Sequence, residues 1–231
     1  MVLIKQKKSL IPSCDVDSLE KLKQLVKTTH DVKGIGAYKI GFELVIPFGI
    51  KEVIKAIRKI TDLPIIYDHQ KAGTDIPEMG EKFIKSCQGV DAVILFPQAG
   101  PVTEKAWINS AKKLGMKIIV GGEMTHEGYL QESGGFMINN APSKIYDIAA
   151  SMGVTDFVIP GNKPNKAIEY RKIIEKNIKK PIFYSPGLVA QGGDISELAQ
   201  KLDSWHAIIG RAIYGSDNIK KTTEGYAKAL N

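Results

Sequence analysis

The sequence predicts an α/β fold, a single-domain (β/α)8 TIM barrel over residues 1–231. Eight short apolar runs recur along the chain, and each is followed by a stretch with helical periodicity. Runs that stay apolar on consecutive positions fit strands buried on both faces of a parallel sheet. The length of 231 residues suits eight such units, since these barrels typically need about 250. An open doubly wound sheet is the alternative, but the first run is not followed by Gly-x-Gly-x-x-Gly, so closure is favoured.

The first strand is expected at Ser9 to Cys14. Leu19, Leu22, Leu25 and Val26 then form the apolar stripe of a helix, with Asp17 and Glu20 spaced as a capping box at its start. Ala37 to Ile40 is the second strand, and Ile50, Val53, Ile54 and Ile57 mark the helix behind it. Strands three to eight are expected at Pro64–Tyr67, Ala92–Phe96, Lys117–Val120, Asp156–Ile159, Pro181–Tyr184 and Ala207–Ile209. Pro77, Pro142 and Pro164 stand where helices can begin. One long connection, Gly121 to Ala141, carries five glycines, and loops of that length are usually functional.

Composition narrows the function. Hydrophobic residues at 43% and charged residues at 25% exclude a disordered or fibrous chain. No apolar run is long enough to span a bilayer, and the amino terminus turns basic after three apolar residues, the reverse of a secretory signal. Cys14 and Cys87 suit neither a disulfide framework nor a zinc site. The expectation is a reduced cytoplasmic protein with no membrane partner. The net charge of +7 permits an anionic ligand. Lysines are spread over nearly every helix and aromatics are 7%, so a nucleic-acid surface is not expected.

Barrel chemistry sits at the carboxyl ends of the strands. Strand one ends in Asp15, and Asp17 already serves as a cap, which leaves Asp15 for a site. Lys39 lies inside an apolar strand, where an ammonium is costly unless paired or turned into a wet cavity. After strand three come Asp68, Lys71 and Asp75, alternating acid and base at one rim. Gly-rich turns follow strands seven and eight, Ser185-Pro186-Gly187 to Asp194 and Ile209-Gly210-Arg211. Such turns hold phosphate through backbone N–H groups, and Arg211 adds a bidentate cation.

These segments, in order and at the right strand ends, resemble the orotidine 5'-monophosphate decarboxylase family over nearly the whole chain. The likeness rests on Asp15, on Lys39 in Tyr-Lys-Ile-Gly-Phe-Glu, and on the Asp/Lys/Asp-Ile-Pro segment. It extends through Gly122-Glu-Met-Thr-His126, Ala190-Gln-Gly-Gly-Asp194 and Ile209-Gly-Arg-Ala-Ile-Tyr214. The resemblance implies a homodimeric enzyme with no cofactor and no metal, turning orotidine 5'-monophosphate into UMP and carbon dioxide. It implies that Asp15 holds a ribose hydroxyl and that Lys39 joins a charged array. Asp68 would face the scissile carboxylate, and Lys71 would protonate C6. Asp75 would enter the partner's site, and Thr125 would bind the pyrimidine. Gln191, Gly192, Gly210 and Arg211 would contact phosphate and lid.

The third-strand motif departs from the family's Asp-x-Lys-x-x-Asp, with one extra residue in each gap. Side chains of Asp68 and Lys71 then point oppositely in regular β geometry, so a bulge or an early turn at Gly73 is expected. Glu78 and Met79 stand where many members carry Asn-Thr, and His69 is expected to be packed or hydrogen-bonded rather than catalytic. A Mg²⁺-dependent sugar-phosphate lyase or aldolase of the same suprafamily would carry a Glu at the position of Lys39. A nucleotide-binding barrel without turnover is the non-enzymatic alternative. A metal hydrolase built on Asp68, His69 and His126 lacks a His-x-His pair after strand one.

Overall fold

A computed structural model describes residues 2–69, 73–189, 192 and 195–230. Eight strands alternate with helices: β1 (Lys8–Pro12), β2 (Tyr38–Gly41), β3 (Ile65–Asp68), β4 (Ala92–Leu95), β5 (Lys117–Gly121), β6 (Asp156–Val158), β7 (Ile182–Ser185) and β8 (Trp205–Ile209). The helices are α1 (Leu19–Thr29), α2 (Phe42–Phe48), α3 (Ile50–Arg58), α4 (Met79–Ser86), α5 (Pro101–Lys113), α6 (Ala141–Ser151), α7 (Pro164–Ile174), α8 (Ile195–Lys201), α9 (Arg211–Tyr214) and α10 (Ile219–Lys228). All eight strands pair in parallel in the order β1-β8-β7-β6-β5-β4-β3-β2. The ring closes between β1 and β2 through isolated bridges, Leu10 with Ile35 and Ser13 with Lys39.

Alternation along each strand divides the core in two. Leu10, Tyr38, Ile40, Val93, Val120, Phe157 and Trp205 face out and pack under the helices. Ile11, Ala37, Ile66, Ile94, Phe96, Ile119, Val158 and Ile208 face in and fill the barrel. The same parity turns Ser13, Lys39 and Asp68 inward, each two residues beyond Ile11, Ala37 and Ile66 toward the carboxyl end. Lower in the barrel, buried Asp156 accepts from Tyr184 at 2.9 Å and pairs with Lys117 at 2.7 Å. Ser9 and His206 share a 2.8 Å hydrogen bond. Burial pushes the His206 imidazole down to about 4, so it stays neutral at physiological pH.

Several local expectations shift. Ser18, not Asp17, caps α1: its hydroxyl accepts from the Lys21 amide at 3.2 Å. Asp17 instead pairs with the Lys21 ammonium at 2.7 Å, so the Asp17–Glu20 box does not form. Pro142 and Pro164 lie in the first turns of α6 and α7, whereas α4 starts at Met79, two residues beyond Pro77. Helix α2, bounded by Gly41 and Gly49 with Pro47 inside it, adds a turn at the rim that the periodicity did not announce. The long connection after β5 is ordered by a bridge from Leu130 to Met137 and by Tyr129 donating to the Gly122 carbonyl at 3.0 Å.

Candidate active site

At the carboxyl end of the barrel lies a cavity of about 500 Å³. Its floor is the inward apolar layer of Ile94, Phe96, Val158 and Ile208, and its walls carry Asp15, Lys39, Asp68, Thr125, Gly210 and Arg211. Gly121 beneath it is a packing glycine, since a Cβ there would meet the Phe96 ring at 2.3 Å.

Lys39 is the centre of the charge. Its side chain is 6% exposed and reaches up between two carboxylates, 3.3 Å from Asp15 Oδ1 and 3.3 Å from Asp68 Oδ2. The register explains the geometry. Lys39 stands level with Ser13 on one side and Ile66 on the other, and the two acids lie two residues further along their own strands. Burial alone would push the ammonium down, but Asp68 and Asp15 together outweigh it and hold Lys39 above its ordinary value. Ser13 Oγ donates to Asp15 Oδ2 at 2.6 Å and fixes the carboxylate's rotation. An ammonium shared by two carboxylates makes a locally anionic, preorganised array.

The opposite wall comes from the segment after β5. Glu123 is 2% exposed; it accepts from Lys163 Nζ at 2.6 Å and from the Tyr170 hydroxyl. Lys163 also donates to the Met124 carbonyl at 3.1 Å, and Asn162 Nδ2 donates to the Thr125 carbonyl at 2.9 Å. Thr125 is thus presented by a backbone held from the β6–α7 loop.

The third wall is the pair of turns after β7 and β8. Gly187 and Gly192 adopt φ of 84° each, and Val189 between them sits at φ 61°. That conformation costs a β-branched residue on the order of 1–3 kcal/mol. Gly210 packs its Cα face on Ser13, where a Cβ would approach to 3.3 Å. Arg211 opens α9 and faces the cavity with Tyr214.

A model of the orotidine 5'-phosphate decarboxylase / HUMPS family matches residues 8–226. The chain belongs to that family. Orotidine 5'-phosphate decarboxylase from Methanocaldococcus jannaschii is 34% identical over 209 residues, 89% of this chain and 92% of that one. The enzyme of the same name from Pyrococcus furiosus is 32% identical over 93% of this chain and 94% of its own length. A crystal structure of the Methanocaldococcus jannaschii enzyme complexed with the inhibitor BMP superposes with a TM-score of 0.84 at 31% identity, covering 97% and 99% of the two chains. The decarboxylase barrel is therefore the barrel of this chain.

Against the sequence expectations, the cavity gathers Asp15, Lys39, Asp68, Thr125, Gly210 and Arg211. Asp75 is exposed and lines a separate shallow pocket with Ile76, Pro77, Pro101 and Val102. Lys71 and Gln191 lie outside the described residues, as does Asp194; Gly192 is described only by its backbone turn. Gly73, where an early turn was expected, has φ 90°, and a Cβ there would meet the Pro97 Cα at 3.0 Å; residues 70–72, through which such a turn would run, lie outside the described residues. His69 is exposed on the outer side, where its Nδ1 bonds the Tyr67 hydroxyl and its ring meets Phe83 edge-on at 5.8 Å. His126 is also exposed and packs on Tyr129 at 5.9 Å. Among the described residues no group of three acidic, His or Cys side chains is arranged to hold a metal ion. The sequence did not single out Ser13, Glu123 or Tyr214. Glu123 could have been flagged as a lone acid directly after a buried strand.

Proposed function

We propose that this protein decarboxylates orotidine 5'-monophosphate to UMP and carbon dioxide without a cofactor. The observation that carries the reading is the Lys39 ammonium clasped by Asp15 and Asp68 at the mouth of a family-matched barrel. In this reading the phosphate sits on the turns carrying Gln191, Gly192, Gly210 and Arg211, and the pyrimidine sits against Thr125. Asp15 accepts from a ribose hydroxyl. Asp68 faces the carboxylate that leaves.

When the C6–carboxylate bond breaks, the electron pair stays on C6, where the ring stabilises it poorly. An ammonium placed beforehand beside that carbon offsets the developing charge at little reorganisation cost. Lys71 supplies this charge and then its proton to C6, while the neighbouring carboxylates keep Lys71 protonated. A Mg²⁺-dependent lyase chemistry is disfavoured because the second-strand position carries Lys39, and an ammonium cannot ligate a metal.

The active unit in this reading is a cytoplasmic homodimer. Asp75 lies outside its own chain's cavity, beside exposed Ile76 and Val102 at 58% and 69% exposure, which supports its use in a partner's site. Both cysteines are free and buried, in keeping with a reducing compartment. No helix of the described residues is long and apolar enough to cross a membrane. The test is to incubate purified protein with orotidine 5'-monophosphate and follow loss of pyrimidine absorbance. No turnover by correctly folded protein would sink the proposal.

A further inference from the structure

Two buried side chains of α5 hold the backbone that carries Asp75. Thr103 Oγ1 donates to the Asp75 carbonyl at 2.9 Å, and Trp107 Nε1 donates to the Ile76 carbonyl at 3.1 Å. They stand four residues apart, on one helix face, and are 4% and 3% exposed. The indole is itself fixed. It stacks on Phe83 at 5.2 Å, and Phe83 stacks on Tyr67 at 6.3 Å. Gly80 of α4 makes room for it, since a Cβ there would lie 2.8 Å from Trp107 Cδ1.

The same aromatic column holds the other end of the segment. Tyr67 bonds His69, and His69 rests its ring edge on Phe83. The stretch between Asp68 and Asp75 is therefore anchored at both ends to one stack of Tyr67, Phe83 and Trp107. Six residues separate Asp68 from Asp75. A linker of this length has conformations to lose when its charged ends are placed. Side-chain donors fastened to two successive carbonyls fix the Asp75 end before substrate arrives. The Asp75 carboxylate meanwhile accepts from its own chain's Ile76 amide at 2.7 Å, which aligns it outward.

We propose that Thr103 and Trp107 are positioning residues for Asp75. They act through its backbone and not on the substrate, and the proposal rests on the reading that Asp75 serves a decarboxylase site. Full-length Thr103→Val, Thr103→Ser, Trp107→Phe, Asp75→Ala and Asp75→Ala/Thr103→Val proteins are compared with the unmodified chain. The readouts are kcat and KM for orotidine 5'-monophosphate, UMP affinity and Tm. Thr103→Val and Trp107→Phe should each lower kcat roughly tenfold, the worth of one lost buried hydrogen bond. UMP affinity should hold, Thr103→Ser should recover kcat, and Thr103→Val should add nothing to the residual turnover of Asp75→Ala. Trp107→Phe keeps the stack on Phe83, so it remains informative if Thr103→Val folds poorly.

Unchanged kcat in the single variants overturns the proposal. So does an equal fractional loss with and without Asp75, which would mark a general effect on the fold. If the unmodified chain does not decarboxylate the substrate, the functional reading fails first and the positioning role falls with it.

Discussion

Glu104 is the fourth residue of α5, 1% exposed, and neither carboxyl oxygen has a hydrogen-bond partner among the described residues. Burial pushes its carboxyl up to about 8 from an ordinary 4.5, with Lys105 pulling the other way. Below about pH 4.5 the group is protonated in folded and unfolded chains alike and carries no penalty. As pH rises the unfolded chain ionises first, and stability falls by about 1.4 kcal/mol per pH unit until the folded group also ionises. At pH 7 the deficit is roughly 3 kcal/mol. Glu104→Gln keeps the shape and removes the titration. Its Tm should match that of the unmodified protein near pH 4.5 and exceed it by roughly 6–12 °C at pH 7, given about 2–4 °C per kcal/mol for a chain of this size. Differential scanning fluorimetry of both proteins from pH 4.5 to 8.5 reads this directly. A Tm difference that stays constant across that range would mean Glu104 does not titrate as an orphaned carboxyl, and the reasoning would be refuted.

Other perturbations bear on the site itself. Lys39→Met keeps the volume but leaves Asp15 and Asp68 without their shared ammonium; kcat should fall by at least about a hundredfold, and a kcat within tenfold of normal would remove Lys39 from the charge array. Arg211→Ala should lower kcat/KM for the nucleotide far more than for the free nucleoside, because remote phosphate binding energy assists the chemistry. Equal losses on both substrates would take Arg211 out of the phosphate site. Lys71→Ala and Asp75→Ala, each nearly inactive alone, should regain roughly a quarter of normal turnover when unfolded, mixed in equal amounts and refolded, since about half the dimers then contain one intact site. Subunit exchange without any gain would show that Asp75 does not serve a partner.

Much of the barrel was legible because strands buried on both faces must be apolar at consecutive positions. Ala92 to Leu95 and Lys117 to Val120 stand out for that reason alone. Elements departing from that rule were harder to see. Helix α2 is short, glycine-bounded and interrupted by Pro47, so it carries no helical stripe. Strand β8 begins two residues earlier than expected because His206, polar by type, is buried against Ser9. The α1 cap slipped by one residue because Asp17 and Ser18 are both capping types, and only the backbone decides between them. In the site, Lys39 was visible as a charge where a charge is costly. Glu123 carried only the weaker signal of a lone acid after a buried strand, because the groups that bond it, Lys163 and Tyr170, lie 40 and 47 residues away in the chain.

The seam of the ring adds a consequence of its own. Strands β1 and β2 meet only through isolated bridges, while the other neighbours pair along ladders. Asp15 and Lys39 stand on either side of this seam, so their ion pair fastens it from inside, while Asp68 holds Lys39 from β3. Two residues of the proposed charge array, Asp15 and Lys39, are also a clasp of the barrel. Any exchange of Asp15 or Lys39 for an uncharged residue would have to replace a mechanical fastening as well, which ties the charge of the pocket to the closure of the fold.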